Sequence, residues 1–353
     1  MKKTLITGIT GQDGSYLAEF LLGKNYKVYG MHRRSSIDSH FERIEHLYGK
    51  INLVCGDLID FSSLEKIIKE IKPDEIYNLA SQSQVRVSFD QPILTKEINW
   101  LGVERLLDLT KKYVPNARFY QASTSELYGK AIETPQNENT PFNPVSPYAE
   151  AKLKAHEAIK RERNKGLFAC GGILFNHESP RRGLEFITRK FTDGIVRIKL
   201  GLPQRETGKN YLEVGNLEAK RDWGFARDYV EAMWMILQQN KPDDYVIATG
   251  ENHSVREFIE TAAEVVGIKI NWEGKNENEI GYDQEGKKVI AINEKFFRPK
   301  EINELRGDSS KARKILGWKP KVTFKELVQM MVKHDLEELG ELPISFRNPK
   351  FLY

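Results

Sequence analysis

A doubly wound, mostly parallel α/β sheet with helices on both faces is the fold this sequence predicts, and three observations predict it. Short β-rich runs alternate with helical patterns from the third residue onward. A glycine loop, Gly8-Ile-Thr-Gly11-Gln-Asp-Gly14, lies where the first strand-like run gives way to the first helical pattern. Several helical patterns open on their own start signal, Ser or Thr three residues before Glu.

The predicted strands run in order through Lys3–Thr7, Lys27–Met31, Ile51–Cys55, Glu75–Leu79, Arg118–Ala122, Gly171–Phe175 and Tyr245–Ala248. Between them, Leu17, Phe20 and Leu21 share one helix face, and Leu64, Ile67, Ile68 and Ile71 share another after a Ser62-x-x-Glu65 capping box. The alternation breaks after Asn176, where residues 177–222 are rich in Arg, Lys, Gly and Pro. A helix near 227–239 leads back to the sheet. Ser254-x-x-Glu257 opens another helix, and further helices follow near 308–316 and from Thr323-x-x-Glu326. The predicted organisation is a Rossmann-type domain over 1–176, with 223–250 returning to it. A smaller, discontinuous α/β substrate domain takes 177–222 and the C-terminal block 251–353.

At 353 residues the chain is long enough for two domains. Its 54 basic and 50 acidic residues leave a formal charge of +4, which gives no nucleic-acid footprint. No apolar run reaches the roughly 18 residues that a membrane span needs. The first strand begins at Lys3, with no room for a signal peptide, so a cytoplasmic location is expected. Cys55 and Cys170 lie in apolar strand-like runs and read as core thiols. No residue is assigned to a metal.

The glycine loop suits a dinucleotide. Gly8, Gly11 and Gly14 let the backbone turn tightly and approach a pyrophosphate, and Thr10, Gln12 and Asp13 fill the loop around the following helix N-terminus. After the second strand comes His32-Arg33-Arg34-Ser35-Ser36, where a site for NAD would place an acid on the ribose hydroxyls. Arg33, Arg34 and Ser35 suit a 2′-phosphate instead, so NADP is the expected cofactor. Later strand ends supply Asp57 and Leu58, then Leu79, Ala80, Ser81 and Ser83. Asp57 can accept from the adenine amino group, Leu79 and Ala80 can border the ribose, and Ser83 is assigned to both cofactor and substrate.

The reacting set is Thr124, Ser125, Glu126, Tyr148 and Lys152. Tyr148 and Lys152 lie four apart in a helix that opens near Ser146-Pro147, so they share a face. A neighbouring ammonium favours the phenolate and makes Tyr148 a base near neutral pH; Lys152 can also hold ribose hydroxyls. Thr124 can donate to the oxygen being oxidised, and Ser125 can orient its neighbour. A simple alcohol–ketone exchange has no use for Glu126. That carboxylate suits abstraction of a proton α to a newly formed ketone.

At this point the chain resembles a known family. Gly8–Leu22, Ser123-Thr-Ser-Glu-Leu-Tyr-Gly129, Phe175-Asn-His-Glu-Ser-Pro-Arg-Arg-Gly183, Lys220-Arg-Asp-Trp-Gly224, Phe297-Arg-Pro299 and Leu316-Gly-Trp-Lys-Pro320 resemble segments of GDP-mannose 4,6-dehydratases, in the extended short-chain dehydrogenase/reductase superfamily. The likeness spans nearly the whole chain. It departs at the middle of Tyr148-Ala-Glu-Ala-Lys152, where Gly-Val-Ala is more usual and Glu150 falls on the exposed helix face, and at Leu202–Leu212, which is longer than usual.

The resemblance implies a lyase that turns GDP-mannose into GDP-4-keto-6-deoxy-mannose and water, with hydride passing from C4 to C6 through bound NADP. Such a product leads towards GDP-6-deoxyhexoses such as GDP-L-fucose or GDP-D-rhamnose. It further implies that His177 and Arg182 contact the cofactor and that Asn176, Lys190, Arg221 and Arg298 join Ser83, Thr124, Glu126 and Tyr148 on the substrate. A homo-oligomer is implied, a dimer or a tetramer, in which the Arg33–Ser36 loop reaches a neighbour's cofactor. The rivals are another nucleotide-sugar 4,6-dehydratase or a 4-epimerase of the same fold, and a non-catalytic NADP-binding sensor. An epimerase has no use for Glu126, and dTDP-glucose dehydratases carry Asp where this chain has Ser125.

Overall fold

The computed structural model describes residues 1–36, 38–296 and 304–341. The chain divides into two units of three segments each: Met1–His177 with Gly224–Gly250 and Leu305–Lys321, and Glu178–Trp223 with Glu251–Glu304 and Val322–Tyr353. Leu305–Lys321, expected with the substrate domain, belongs to the first unit. Trp318 donates its indole N–H to the Asp228 carbonyl at 2.8 Å, and Ser309 Oγ donates to the Ala248 carbonyl at 2.9 Å.

The first unit holds a seven-stranded sheet. Its strands are β1 (Lys3–Thr7), β2 (Lys27–His32), β3 (Asn52–Cys55), β4 (Glu75–Asn78), β5 (Arg118–Thr124), β6 (Ala169–Leu174) and the strand Asp244–Ile247. Across the sheet the order is Asp244–Ile247, β6, β5, β4, β1, β2, β3, and every neighbouring pair is parallel. Successive strand residues point to opposite faces. Leu5, Ile76 and Phe119 pack on one face with Leu64, Ile67 and Ile68 of α2 (Phe61–Ile71). Ile6 and Val28 pack on the other with Leu17 and Leu21 of α1 (Gln12–Gly23) and Met233 of the helix Ala226–Leu237. Both faces are covered, as a parallel sheet requires. The remaining helices of this unit's first segment are α3 (Val85–Asp90), α4 (Pro92–Lys96), α5 (Gly102–Tyr113) and α6 (Pro147–Asn164).

The three expected capping boxes came out differently. Asp60, not Ser62, caps α2 by accepting from the Ser62 and Ser63 amides, and Glu65 turns to Tyr113 and Lys112. An ionised acid two residues upstream starts the helix before Ser62 can, which leaves Ser62 inside the first turn. Ser254 does cap its helix through the Glu257 amide, while the Glu257 carboxylate goes to His253. Only Thr323 and Glu326 bond reciprocally. Cys170 is buried, and burial pushes its thiol up to about 12. Cys55 is exposed rather than core, because β3 is the last strand of the sheet.

In the second unit, the helix Ile187–Lys199 fills part of the stretch that showed no regular pattern in sequence. Phe191 packs on Phe258, and Trp223 lies against Phe258 and Phe324. A four-stranded sheet runs Asn271–Glu273, Ile280–Tyr282, Lys288–Ile292, Leu212–Val214. Among the described residues no helix is long and apolar enough to cross a membrane.

Candidate active site

The glycine loop is a place where backbone meets backbone. Gly8 has φ +71°, and a Cβ there would lie 2.8 Å from the Ala80 amide nitrogen. A Cβ on Gly14 would lie 2.7 Å from the Ile9 Cα and collide with the Gly8 carbonyl. The loop therefore closes against the end of β4 with no side chain between, and α1 starts from Gly11 with no side-chain cap. An uncapped helix start beneath a glycine cradle fits a pyrophosphate.

Other predicted cofactor residues gather on this first turn. His177 Nε2 lies 2.8 Å from Asp13 Oδ2 and its Nδ1 lies 2.8 Å from the Phe175 carbonyl, while its ring stacks on Tyr229. Gln12 Nε2 donates to the His177 carbonyl at 3.1 Å. Arg33, Arg34 and Ser35 are exposed just past β2, whose Met31 pairs with Thr7 at the end of β1. Arg43 reaches back to the Thr10 carbonyl at 3.5 Å. Asp57 is held by its own turn, accepting from the Ile59 amide at 3.1 Å, and Leu58 is buried beside it.

Ser81 is fixed by a residue that sequence reasoning missed. Asn99 sits in a π-helical turn, Glu97–Leu101, of the kind that often marks a functional position. Its Oδ1 accepts from Ser81 Oγ at 2.9 Å and from the Gln82 amide at 2.8 Å, and its Nδ2 donates back to the Gln82 carbonyl at 2.8 Å. Ser83, one residue on, is exposed.

The residues expected to react gather around the end of β5. Thr124 is its last residue and caps the short turn Ser125–Leu127, with the Glu126 amide donating to Thr124 Oγ1 at 3.2 Å. The hydroxyl oxygen thus accepts from the protein and keeps its hydrogen to donate outward. Ser125 is buried and Glu126 partly exposed. Tyr148 and Lys152 lie on the buried face of α6, with Lys152 Nζ 5.8 Å from the Tyr148 ring centre, while Glu150 points to solvent. Ser146 caps α6 through the Ala149 amide at 3.1 Å, which places Tyr148 in the first turn. Lys152 Nζ donates to the Ala122 carbonyl of β5 at 3.0 Å. Burial pushes the ammonium down to about 8, partly offset by the charge of Asp13.

Two further sets hold this cluster. One turn beyond Lys152, His156 Nδ1 lies 2.9 Å from Ser123 Oγ and its Nε2 3.6 Å from Asp244 Oδ2, tying α6 to β5 and to the strand Asp244–Ile247. Burial pushes the His156 imidazole down. Its spacing, four residues after Lys152, was the available signal. The second set runs through the sheet. Thr7 Oγ1 donates to Asn78 Oδ1 at 2.6 Å, Asn78 Nδ2 to Gln121 Oε1 at 2.8 Å, and Gln121 Nε2 to the Ala122 carbonyl at 3.1 Å.

The remaining predicted residues fall elsewhere. Asn176 is half-buried in the first unit, just past β6. In the second unit, Arg182 pairs with Glu178 at 3.3 Å, Lys190 with Glu206 at 2.8 Å, and Arg221 is buried on a two-residue strand with its Nη1 on the Lys220 carbonyl. Arg298 lies outside the described residues.

A sequence profile described as GDP-mannose 4,6 dehydratase matches residues 5–331. The chain is 54% identical to a GDP-mannose 4,6 dehydratase of Homo sapiens, over 96% of this chain and 92% of that one. It is 53% identical to one of Drosophila melanogaster, covering 98% and 88%, and 48% identical to one of Vibrio cholerae, covering 95% and 94%. Among solved structures, a UDP-glucose 4-epimerase of Thermotoga maritima superposes with TM-score 0.80 at 23% identity, covering 96% of this chain and 99% of that one. A dTDP-glucose 4,6-dehydratase of Bacillus anthracis, in complex with NAD, superposes with TM-score 0.76 at 20% identity, covering 97% and 98%. At those identities the superpositions establish the fold.

Proposed function

The chain belongs to the GDP-mannose 4,6-dehydratase family, and from that premise we propose how its residues carry out the dehydration of GDP-mannose to GDP-4-keto-6-deoxy-mannose. The observation that carries the assignment is the end of β5. One strand terminus supplies the Thr124 hydroxyl, the Glu126 carboxylate and the carbonyl that holds Lys152. An oxidation needs the first and last of these; only an elimination also needs the second.

Gly8, Gly11 and Gly14 hold the pyrophosphate of a nicotinamide dinucleotide, with Gln12, Asp13 and His177 around it. When bound, this group supplies the hydride acceptor and donor that links C4 to C6 of the mannose ring. Lys152 orients its ribose and keeps Tyr148 ionisable. Tyr148 takes the proton of the 4-hydroxyl while Thr124 donates to the same oxygen. A carbonyl at C4 acidifies the proton on C5, and Glu126 removes it. Glu126 then gives that proton to the hydroxyl leaving C6 as water, and, with hydride restored at C6, C5 takes up a proton in place of the one Tyr148 removed from the 4-hydroxyl. No external reductant is consumed, so the enzyme is a hydro-lyase.

Exposed Arg33 and Arg34 favour NADP over NAD, since their charge suits a 2′-phosphate. Arg182, Lys190 and Arg221 supply charge for the remaining phosphates and the nucleotide. By family likeness the assembly is a dimer or tetramer in the cytoplasm. Identifying the dinucleotide released on denaturation decides the cofactor, and light scattering the assembly. The deciding experiment is GDP-mannose bearing deuterium at C4, incubated without added reductant. Label in the new 6-methyl group is expected. Turnover of dTDP-glucose or UDP-glucose in place of GDP-mannose would overturn the substrate.

A further inference from the structure

The hydrogen bonds between the glycine loop and Lys152 admit only one orientation. The amides of Leu79 and Ala80 both donate to Thr7 Oγ1, each at 3.1 Å. A hydroxyl has two lone pairs and one hydrogen, so with both pairs engaged Thr7 must donate onward. Its partner on Asn78 is therefore the oxygen, which turns Asn78 Nδ2 towards Gln121. The facing atom of Gln121 must then be its oxygen, which leaves Gln121 Nε2 on the Ala122 carbonyl. Each amide orientation follows from two backbone N–H groups and not from a free choice. Turning either amide over would set donor against donor in a dry layer, at a cost of about 1–3 kcal/mol. Thr7, Asn78 and Gln121 are at most 1% exposed and lie at one level of β1, β4 and β5, paired Thr7 to Asn78 and Asn78 to Gln121.

We propose that Gln121 is a positioning residue for the reaction: its oriented amide shares the Ala122 carbonyl with Lys152 and so sets where the ammonium rests beside Tyr148. The proposal rests on Tyr148 and Lys152 being the acid–base pair. Gln121 is 1% exposed, so it acts through Lys152 and not by contact with substrate. Its amide donates to an oxygen that also accepts from Lys152, which limits how firmly that oxygen can hold the ammonium. Lys152 stays poised between the strand and the groups it serves. Tyr148 lies beside it with its ring centre 5.8 Å from Nζ, His156 follows one turn on along α6, and the charge of Asp13 on α1 acts on it.

The test is the pH profile of kcat for the full-length, dinucleotide-loaded enzyme, with GDP-mannose as substrate. Gln121→Leu should lower kcat roughly ten- to a hundred-fold, the size of effect that misplacing a reacting group produces, with KM nearly unchanged. Gln121→Glu carries the sharper signature. As a neutral acid it accepts from Asn78 and donates to the Ala122 carbonyl, as glutamine does. As a carboxylate it repels that carbonyl and draws Lys152 away. Its kcat, divided by that of the wild type, should rise as pH falls. If Gln121→Leu does not fold, Gln121→Glu measured at the acid end, where it is neutral and of the same shape, carries the test. Ratios flat with pH, or losses confined to KM, would overturn the proposal. Wild-type turnover by Tyr148→Phe would instead overturn the acid–base assignment beneath it.

Discussion

Thr7, Asn78, Gln121 and Lys152 in the first unit are at most 4% exposed, and each is bonded to a neutral partner. Arg182 and Lys190 in the second unit are part-exposed, and each rests on a carboxylate, Glu178 or Glu206. The contrast separates two requirements. Atoms that exchange protons must be in place before substrate arrives, and buried neutral hydrogen bonds cannot be screened or exchanged for water. Cations proposed to hold phosphate need only be available. A part-wet ion pair is worth about 0–1 kcal/mol, so an arriving diphosphate can replace the carboxylate.

The largest effects are therefore expected in the first unit. Tyr148→Phe should lower kcat by about 10²–10⁴-fold, with KM moving only a few-fold. If KM moved as far as kcat, Tyr148 would belong with the binding residues. Glu126→Gln should abolish water loss while some oxidation at C4 persists, followed by the absorbance of the reduced nicotinamide that accumulates on the enzyme. Full dehydration by that variant would remove Glu126 from its role.

Next in size is a stability effect. The unfolded chain keeps the Lys152 proton up to its ordinary value of 10.5, the folded protein only up to about 8. Between these values unfolding takes up a proton, so stability rises with pH across that window. Below pH 8 the folded state bears the full cost of the buried ammonium. Lys152→Met should thus be inactive yet more stable than wild type at pH 7, on the order of 3 kcal/mol from the pKa difference. The gap should close between pH 8 and 10.5 in denaturant titrations. A gap constant with pH would mean that the ammonium is not strained by burial.

The smallest effect belongs to the second unit. Glu206→Gln frees Lys190 from its partner and should lower KM for GDP-mannose about two- to five-fold, with kcat unchanged. An increase in KM would mean that Glu206 positions Lys190 instead of competing with substrate.

The seven strands of the main sheet were readable because both its faces are buried, which makes each strand a short apolar run between turn residues. The glycine loop and the pairs Tyr148–Lys152 and Thr124–Glu126 could be singled out in sequence because the spacing within each is local. Gln121 was not, since its meaning arises from Asn78 forty-three positions upstream, at the same level of the next strand. Asn99 escaped notice because its effect depends on a π-turn, which leaves no period in sequence. The short strands of the second unit, two to five residues each, were lost among the polar residues around them.

Trp318 sits some seventy residues past the last strand of the main sheet, yet its indole is seated on the helix that precedes that strand, edge-on to Tyr229. Tyr229 in turn stacks on His177. A fragment cut after Gly250 would keep every strand of the sheet and still lose the ring that backs Tyr229, on which His177 stacks. Anyone wishing to transplant this nucleotide-binding half would have to carry residues 305–321 with it, or repack the hole they leave.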